Sequence, residues 1–364
     1  MKSSFAFTSA PTRVLLGTAA TLSLLACDPN SDPNPAQPIA VTKTVFVVNE
    51  GNFLRSNAEI SSFSKATNAL LNANLFSTVN TRPLGDVAQS MAAQDSTGYI
   101  VVNNSNKVEV VNLRTFRSLA TISNLKLPRY FAAASASKGY VSETVSYSGA
   151  AGQVSVIDLK TNTITKFLAV GKQPERLLVV GNRLYVANGG ENTITVINTT
   201  TDAVEGTITV GDSPNSLALD RNNKLWVLSG GKVAYDANFN VDYAKTTKGS
   251  LSSIVPGQLT ATTRELATNL AQPNRLTTNG AKDQLYYTFQ GGVYALGINE
   301  ATLPTTPFIR RSLYGLGVDP QDNTIYGGVS NSFSGAGKVV RYQSTGAPID
   351  SFNVSVGPNS FLFY

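Results

Sequence analysis

Runs of β-branched and aromatic residues alternate with clusters of Asn, Gly, Thr and Asp along most of this chain, most regularly between Leu177 and Pro214. Four runs fall there: Leu177–Val180, Leu184–Ala187, Thr193–Ile197 and Val204–Val210. Each has the composition of a short strand, and the polar, Gly-containing segments between them have that of tight turns. Four strands within about forty residues is the size of one β-propeller blade.

A single four-stranded sheet cannot bury its faces, so a blade needs stacked neighbours and the unit must recur. Phe46, Tyr140, Tyr185, Trp226, Tyr286 and Tyr326 hold the same place in a second strand, Ile100 fills the remaining slot, and successive anchors stand 40 to 60 residues apart. A second register precedes the innermost strands: Pro128-Arg129-Tyr130-Phe131, Pro174-Glu175-Arg176-Leu177, Pro214-Asn215-Ser216-Leu217, Pro273-Asn274-Arg275-Leu276 and Pro358-Asn359-Ser360-Phe361. Ala88-Gln89-Ser90-Met91 and Arg310-Arg311-Ser312-Leu313 fit the frame without the proline. The last copy has no strands after it, and the first copy lacks an innermost strand. The pattern therefore predicts an all-β, seven-bladed β-propeller of four-stranded blades, with the C-terminal strand completing the N-terminal blade and removing an exposed edge. A β-sandwich explains neither the repeat nor the complementary ends. Blade one is expected to use Val45–Val48, Ala58–Phe63 and Leu70–Phe76. Blades six and seven should open near Pro273 and Arg310, and blade five carries a long loop over Gly230–Gly249.

Ahead of the repeats, residues 1–26 read as a targeting segment: Lys2 and Arg13 are basic, and Val14–Leu25 is an apolar run too short for a confident membrane span. It ends in Leu24-Leu25-Ala26-Cys27, which resembles a bacterial lipobox and makes Cys27 the expected lipidation site. Residues 27–40 then form the lipidated cysteine and a Pro-, Asp- and Asn-rich tether, and residues 41–364 the propeller. Asp28 and Asp32 loosely resemble a surface-export signal, so both cell-surface and periplasmic exposure of an outer-membrane lipoprotein stay open.

Composition narrows the chemistry. The chain has no histidine and one cysteine, which excludes an internal disulfide, imidazole general bases and His-ligated metals. Its formal charge of +6 falls to +4 once Lys2 and Arg13 leave with the signal, and no basic run suits a nucleic acid. Glu50, Glu143, Glu175 and Glu191 read better as isolated loop carboxylates than as a glycosidase pair. Asp220-Arg221-Asn222-Asn223 and Asp319-Pro320-Gln321-Asp322-Asn323 read as hairpin turns rather than calcium loops. The chain reads as a monomeric binder with no cofactor and no metal, not as an enzyme.

The segments LYVAN, NTITVIN and ITVG resemble the YVTN-type repeat of surface-layer and periplasmic seven-bladed propellers. Asn49-Glu50-Gly51-Asn52-Phe53, Pro83-Leu84-Gly85-Asp86, Gln89-Ser90-Met91, Val102-Asn103-Asn104-Ser105, Pro128-Arg129-Tyr130 and Trp226-Val227-Leu228 resemble Bacteroidetes surface-lipoprotein propellers. That group includes cobalamin-capturing proteins working beside an outer-membrane transporter. The resemblance implies capture of a corrinoid or similar bulky nutrient; the alternative is a protein-interaction scaffold with no small-molecule ligand.

Propeller topology places the site. Segments leading into the innermost strands share one face with the loops joining strands two and three. The expected ligand-binding ring is Gln89, Arg129, Tyr130, Glu175, Arg176, Asn215, Asn274, Arg275, Arg311 and Asn359, a set suited to amide, carbonyl or phosphate acceptors. The same side chains would otherwise cap turns around a water-filled channel. Farther out, Phe53, Tyr147, Tyr235, Phe239, Tyr243, Phe289 and Phe333 are expected as loop aromatics able to stack on a flat ligand or anchor a partner.

Overall fold

The structure, a computed structural model, describes Met1 and residues 43–364, so the expectations for the signal, Cys27 and the tether lie outside the described residues. Leu184-Tyr185-Val186-Ala187 shows why the strands form: every one of these residues is buried, which is possible only where sheets stack on both sides. Seven antiparallel sheets result, each in meander order from the axis outward. The innermost strands, in chain order from blade two, are Ala88–Gln94, Pro128–Ser135, Pro174–Val180, Pro214–Leu219, Asn274–Thr278 and Gly315–Val318. Blade one takes its innermost strand from the C-terminus: Pro358–Phe363 pairs with Thr44–Asn49, and Tyr364 and Thr44 exchange backbone hydrogen bonds at 3.0 and 3.2 Å. The expected closed seven-bladed propeller is the observed fold.

The cores lie between blades, and the second-strand aromatics mark them. Phe46 packs with blade-two residues, Tyr140 with Leu184 and Val186 of blade four, Tyr185 with Leu225 and Val227 of blade five, and Tyr326 with Val45 and Val47 of blade one. Each ring faces the following blade. Ile100 breaks this rule because it faces back into the blade-one core, whereas Tyr99 stacks on Phe131 of blade three at 4.1 Å. Tyr99 is the true seventh anchor; one residue along a strand reverses the face.

Three boundaries differ from expectation. The outer strand of blade one stops at Asn72, and Leu75–Asn80 forms a six-residue helix. Glu59 explains the switch: its carboxylate accepts the N–H groups of Phe76 and Ser77 at 3.1 and 3.0 Å and so satisfies the first helical turn. Blade six has three strands, its fourth place held only by the bridge between Val293 and Ile309. Blade seven opens at Gly315, not at the Arg310-Arg311-Ser312-Leu313 frame. Its innermost strand, Gly315-Leu316-Gly317-Val318, hides in the sequence because it needs glycine. A Cβ on Gly315 would lie 2.7 Å from the Pro358 carbonyl oxygen, and one on Gly317 3.0 Å from the Phe361 ring.

Candidate ligand-binding cavity

Segments leading into the innermost strands, together with the loops joining strands two and three, line a cavity of about 740 Å³ at one end of the ring. Seven of the ten expected ring residues form its wall: Gln89, Arg129, Tyr130, Glu175, Asn215, Asn274 and Arg275. Three do not. The Arg176 guanidinium lies 4.3 Å over the Tyr130 ring and supports the wall from outside the cavity. Asn359 is fully buried, and its Nδ2 donates to Glu50 Oε1 at 2.8 Å and to the Ala88 and Gln89 carbonyls at 3.2 and 3.1 Å, stitching the closing strand to blade two. Arg311 is solvent-exposed and lines a different depression, a consequence of the shifted opening of blade seven; Tyr314 stands in the cavity instead.

The loop aromatics divide the same way. Phe53 and Tyr147 line the cavity, 67% and 60% exposed, and Phe333 meets Tyr314 edge-on at 5.4 Å. Tyr235, Phe239 and Tyr243 project from the blade-five loop, exposed and outside the cavity wall. Phe289 is no loop tip; it is buried between blades five and six with Trp226 and Tyr294.

The wall is fixed by its own hydrogen bonds. Arg129 Nε donates to Glu175 Oε1 at 3.0 Å, its Nη1 donates to Gln89 Oε1 at 2.7 Å, and Gln89 Nε2 donates to the Tyr130 hydroxyl at 3.3 Å. Burial disfavours the Arg129 charge, but the Glu175 carboxylate more than offsets this and holds the guanidinium charged. Across the ring the Tyr314 hydroxyl donates to Glu50 Oε2. Burial, reinforced by the Glu50 charge, pushes that hydroxyl well above the usual tyrosine range, so it stays a neutral donor. Arg275 Nε donates to the Tyr314 carbonyl at 3.0 Å, with its guanidinium carbon 5.5 Å from the Tyr314 ring centre. Neither Glu50 nor Arg275 has an ion-pair partner among the described residues.

Six wall residues with polar side chains escaped the sequence-based ring: Glu50, Asn103, Gln173, Ser213, Gln272 and Tyr314. Gln173-Pro174 and Gln272-Pro273 carried a usable signal, since the same residue precedes the proline frame twice. Glu50 and Tyr314 carried none. Elsewhere the two Asp-rich segments are satisfied as turns: Asp220 Oδ1 accepts the N–H groups of Asn222 and Lys224, and its Oδ2 accepts Trp226 Nε1 at 2.9 Å. Asp319 Oδ1 accepts the Gln321 N–H, and its Oδ2 binds Lys65 Nζ at 2.6 Å.

Residues 43–363 match the model of a domain of unknown function, DUF5074. The chain belongs to the DUF5074 family. No curated protein matches it. Among solved structures, this DUF5074 propeller is similar to a quinonprotein alcohol dehydrogenase-like protein of Bacteroides thetaiotaomicron at 11% identity, covering 89% of this chain and 78% of that one with a TM-score of 0.66. It is also similar to a functionally unknown protein of Desulfotomaculum acetoxidans, at 11% identity, 87% and 97% coverage and TM-score 0.63. A 6-phosphogluconolactonase candidate of Bacteroides fragilis aligns at 14% identity, 89% and 98% coverage and TM-score 0.62. At these identities the likeness is one of fold, and fold does not carry function.

Proposed function

We propose that this DUF5074 chain is a non-enzymatic cell-envelope lipoprotein, anchored through Cys27, that captures a bulky amide-rich nutrient such as a corrinoid for an outer-membrane transporter. One observation carries the reading. The cavity of about 740 Å³ has a wall of amide, arginine and tyrosine side chains under two exposed aromatics, Phe53 and Tyr147. Its size falls within the range of small-molecule sites, and its polar groups are pre-positioned by the Arg129–Glu175 and Tyr314–Glu50 bonds. The chemistry it lacks supports binding over turnover. No histidine or available thiol faces it, and its two carboxylates are already committed, Glu175 to Arg129 and Glu50 to Tyr314 and Asn359.

The test is calorimetric and thermal-shift titration with cyanocobalamin, on the native protein and on a Phe53→Ala/Tyr147→Ala/Asn274→Ala variant. These three side chains touch the cavity without supporting a core, so the variant should melt like the native protein. Ligand at a hundred times its dissociation constant adds about 2.7 kcal/mol to native stability; the variant should lose most of that gain. No shift with native protein at saturating ligand removes the corrinoid, and unchanged binding by the variant removes the site.

A second reading, a protein-interaction scaffold, rests on Tyr235, Phe239 and Tyr243. They are 61%, 87% and 51% exposed on a loop held in shape by Asp236, whose Oδ1 accepts the N–H groups of Asn238 and Asn240. Exposed aromatics clustered on one loop suit a protein interface.

A further inference from the structure

Blade six differs from its neighbours in one respect: no fourth strand covers its outer edge. The third strand, Gly292–Gly297, is bridged there only at Val293, whose N–H donates to the Ile309 carbonyl at 2.9 Å and whose carbonyl accepts the N–H groups of Phe308 and Ile309. Antiparallel pairing alternates the direction of backbone groups. Ala295, two residues on, therefore points its N–H and C=O toward the same edge, where no strand pairs among the described residues.

Next to this edge lies a second depression of about 580 Å³, between Phe308–Arg311 and the outer strands of blade seven, Gly337–Tyr342 and Pro348–Val354. Its lining mixes exposed apolar groups, Phe308 at 37% and Ile349 at 45%, with three arginines and one aspartate. Arg341 is consumed locally: its Nε donates to Asp350 Oδ1 at 2.7 Å, and it also bonds Asn68. Arg310 and Arg311 are exposed and have no carboxylate partner among the described residues. Ile309 is bonded to Val293 and also lines the depression, so the two uncompensated positive charges follow directly along the chain from the residue that meets the blade-six edge.

We propose that this groove docks an extended acidic peptide segment of a partner protein, which adds the missing fourth strand to blade six. Backbone bonds to Ala295 would supply the pairing, Phe308 and Ile349 the contact for an apolar side chain, and Arg310 and Arg311 the selection for Asp or Glu at alternate positions. The site is separate from the axial cavity, and neither reading depends on the other.

Fluorescence anisotropy with a labelled Glu-Val-Glu-Val-Glu peptide tests the proposal, with Lys-Val-Lys-Val-Lys as control. The native protein should bind the acidic peptide saturably and the basic one not at all. Arg310→Glu/Arg311→Glu, both on the surface, should weaken binding by roughly tenfold or more. Ala295→Pro removes the outward N–H where an edge strand tolerates proline and should also weaken it. N-methylation of alternate peptide amides probes the same bonds without touching the protein. Absence of saturation up to millimolar peptide overturns the proposal, as does equal binding of the basic peptide. Loss on arginine reversal with full tolerance of N-methylation overturns strand addition. Self-association of the protein that arginine reversal abolishes would assign the edge to a second copy of this chain instead.

Discussion

Glu109 shows how a charged residue inside a sheet stack is held by the partners that offset its burial. Its side chain is fully buried on the third strand of blade two, with Arg82 Nη2 at 2.5 Å, Lys107 Nζ at 2.8 Å and the Ser118 hydroxyl at 2.5 Å. Burial alone would raise its pKa, but the hydrogen bonds from Arg82, Lys107 and Ser118 outweigh it and hold the carboxyl below its usual value. The sign follows. A depressed folded-state pKa contributes stability that is fully present above the unfolded value, about 4.3, and is lost as pH falls through the still lower folded value. Glu109→Gln should therefore lower unfolding free energy by about 1–3 kcal/mol at neutral pH, and the gap to the native protein should narrow as pH falls below about 4.3. Urea titrations of both proteins at pH 7 and pH 3 measure it; a gap of equal size at both values would mean that packing, not charge, is what Glu109 supplies. Glu143 has the opposite sign, since burial raises its pKa despite the bonds from Ser155 and the Lys126 N–H. The wall of the cavity was legible at this scale at four of the five proline-marked frames, at Arg129, Glu175, Asn215 and Asn274, and failed at Asn359, which the closing strand buries against blade two. It was illegible at Tyr314 and Glu50, which belong to the site only because blade seven and the closing strand bring them to the axis.

At the scale of elements, the blades are joined by a repeated contact between the proline of the frame and a glycine of the blade before it. A Cβ on Gly152 would come 2.1 Å from Pro174 Cδ, one on Gly249 2.4 Å from Pro273 Cδ, and one on Gly337 2.3 Å from Pro358 Cδ. Backbone oxygens close the other side, 2.9 Å away from the Gly152 and Gly337 positions and 3.0 Å from Gly249. Nothing there can rotate aside, so the blades must separate to admit a methyl group. Gly249→Ala should cost about 1–3 kcal/mol, the usual penalty for overpacking, and lower the melting temperature by several degrees. Gly335→Ala, with nothing within 4 Å of its Cβ, is the matched control and should melt like the native protein. Equal melting of the two variants would show that the joints yield. The proline half of this joint was visible as a repeated motif, whereas its glycine partner was not, because the two lie in different blades. The innermost strand of blade seven was misplaced for the same reason: its glycines answer to Pro358 and Phe361, which the chain delivers only at its end.

For the whole molecule, closure decides whether seven blades behave as one cooperative body. The complementary ends made this readable from sequence, and the structure shows how much rests on the last strand. Phe361 and Phe363 pack on Tyr326 with ring centres 5.8 and 5.3 Å apart, joining blade one to blade seven. Asn359 ties the same strand to Ala88 and Gln89 of blade two and orients Glu50 at the cavity. Removing Pro358–Tyr364 would leave the inner edge of Thr44–Asn49 unpaired, strip an aromatic cluster from one joint and release Glu50. In a stack where each blade contacts only its neighbours, an open ring frays from its ends. The truncated protein should lose its single sharp thermal transition, bind a hydrophobic dye in the folded baseline and aggregate through the exposed edge. Supplying the missing strand as the peptide Pro-Asn-Ser-Phe-Leu-Phe-Tyr should restore part of the lost stability in a concentration-dependent way, because binding to the folded form alone shifts the equilibrium by mass action. A truncated chain that still melted in one transition at the native temperature would show that the six remaining blades and an open blade one suffice. Closure would then serve the cavity rather than the fold.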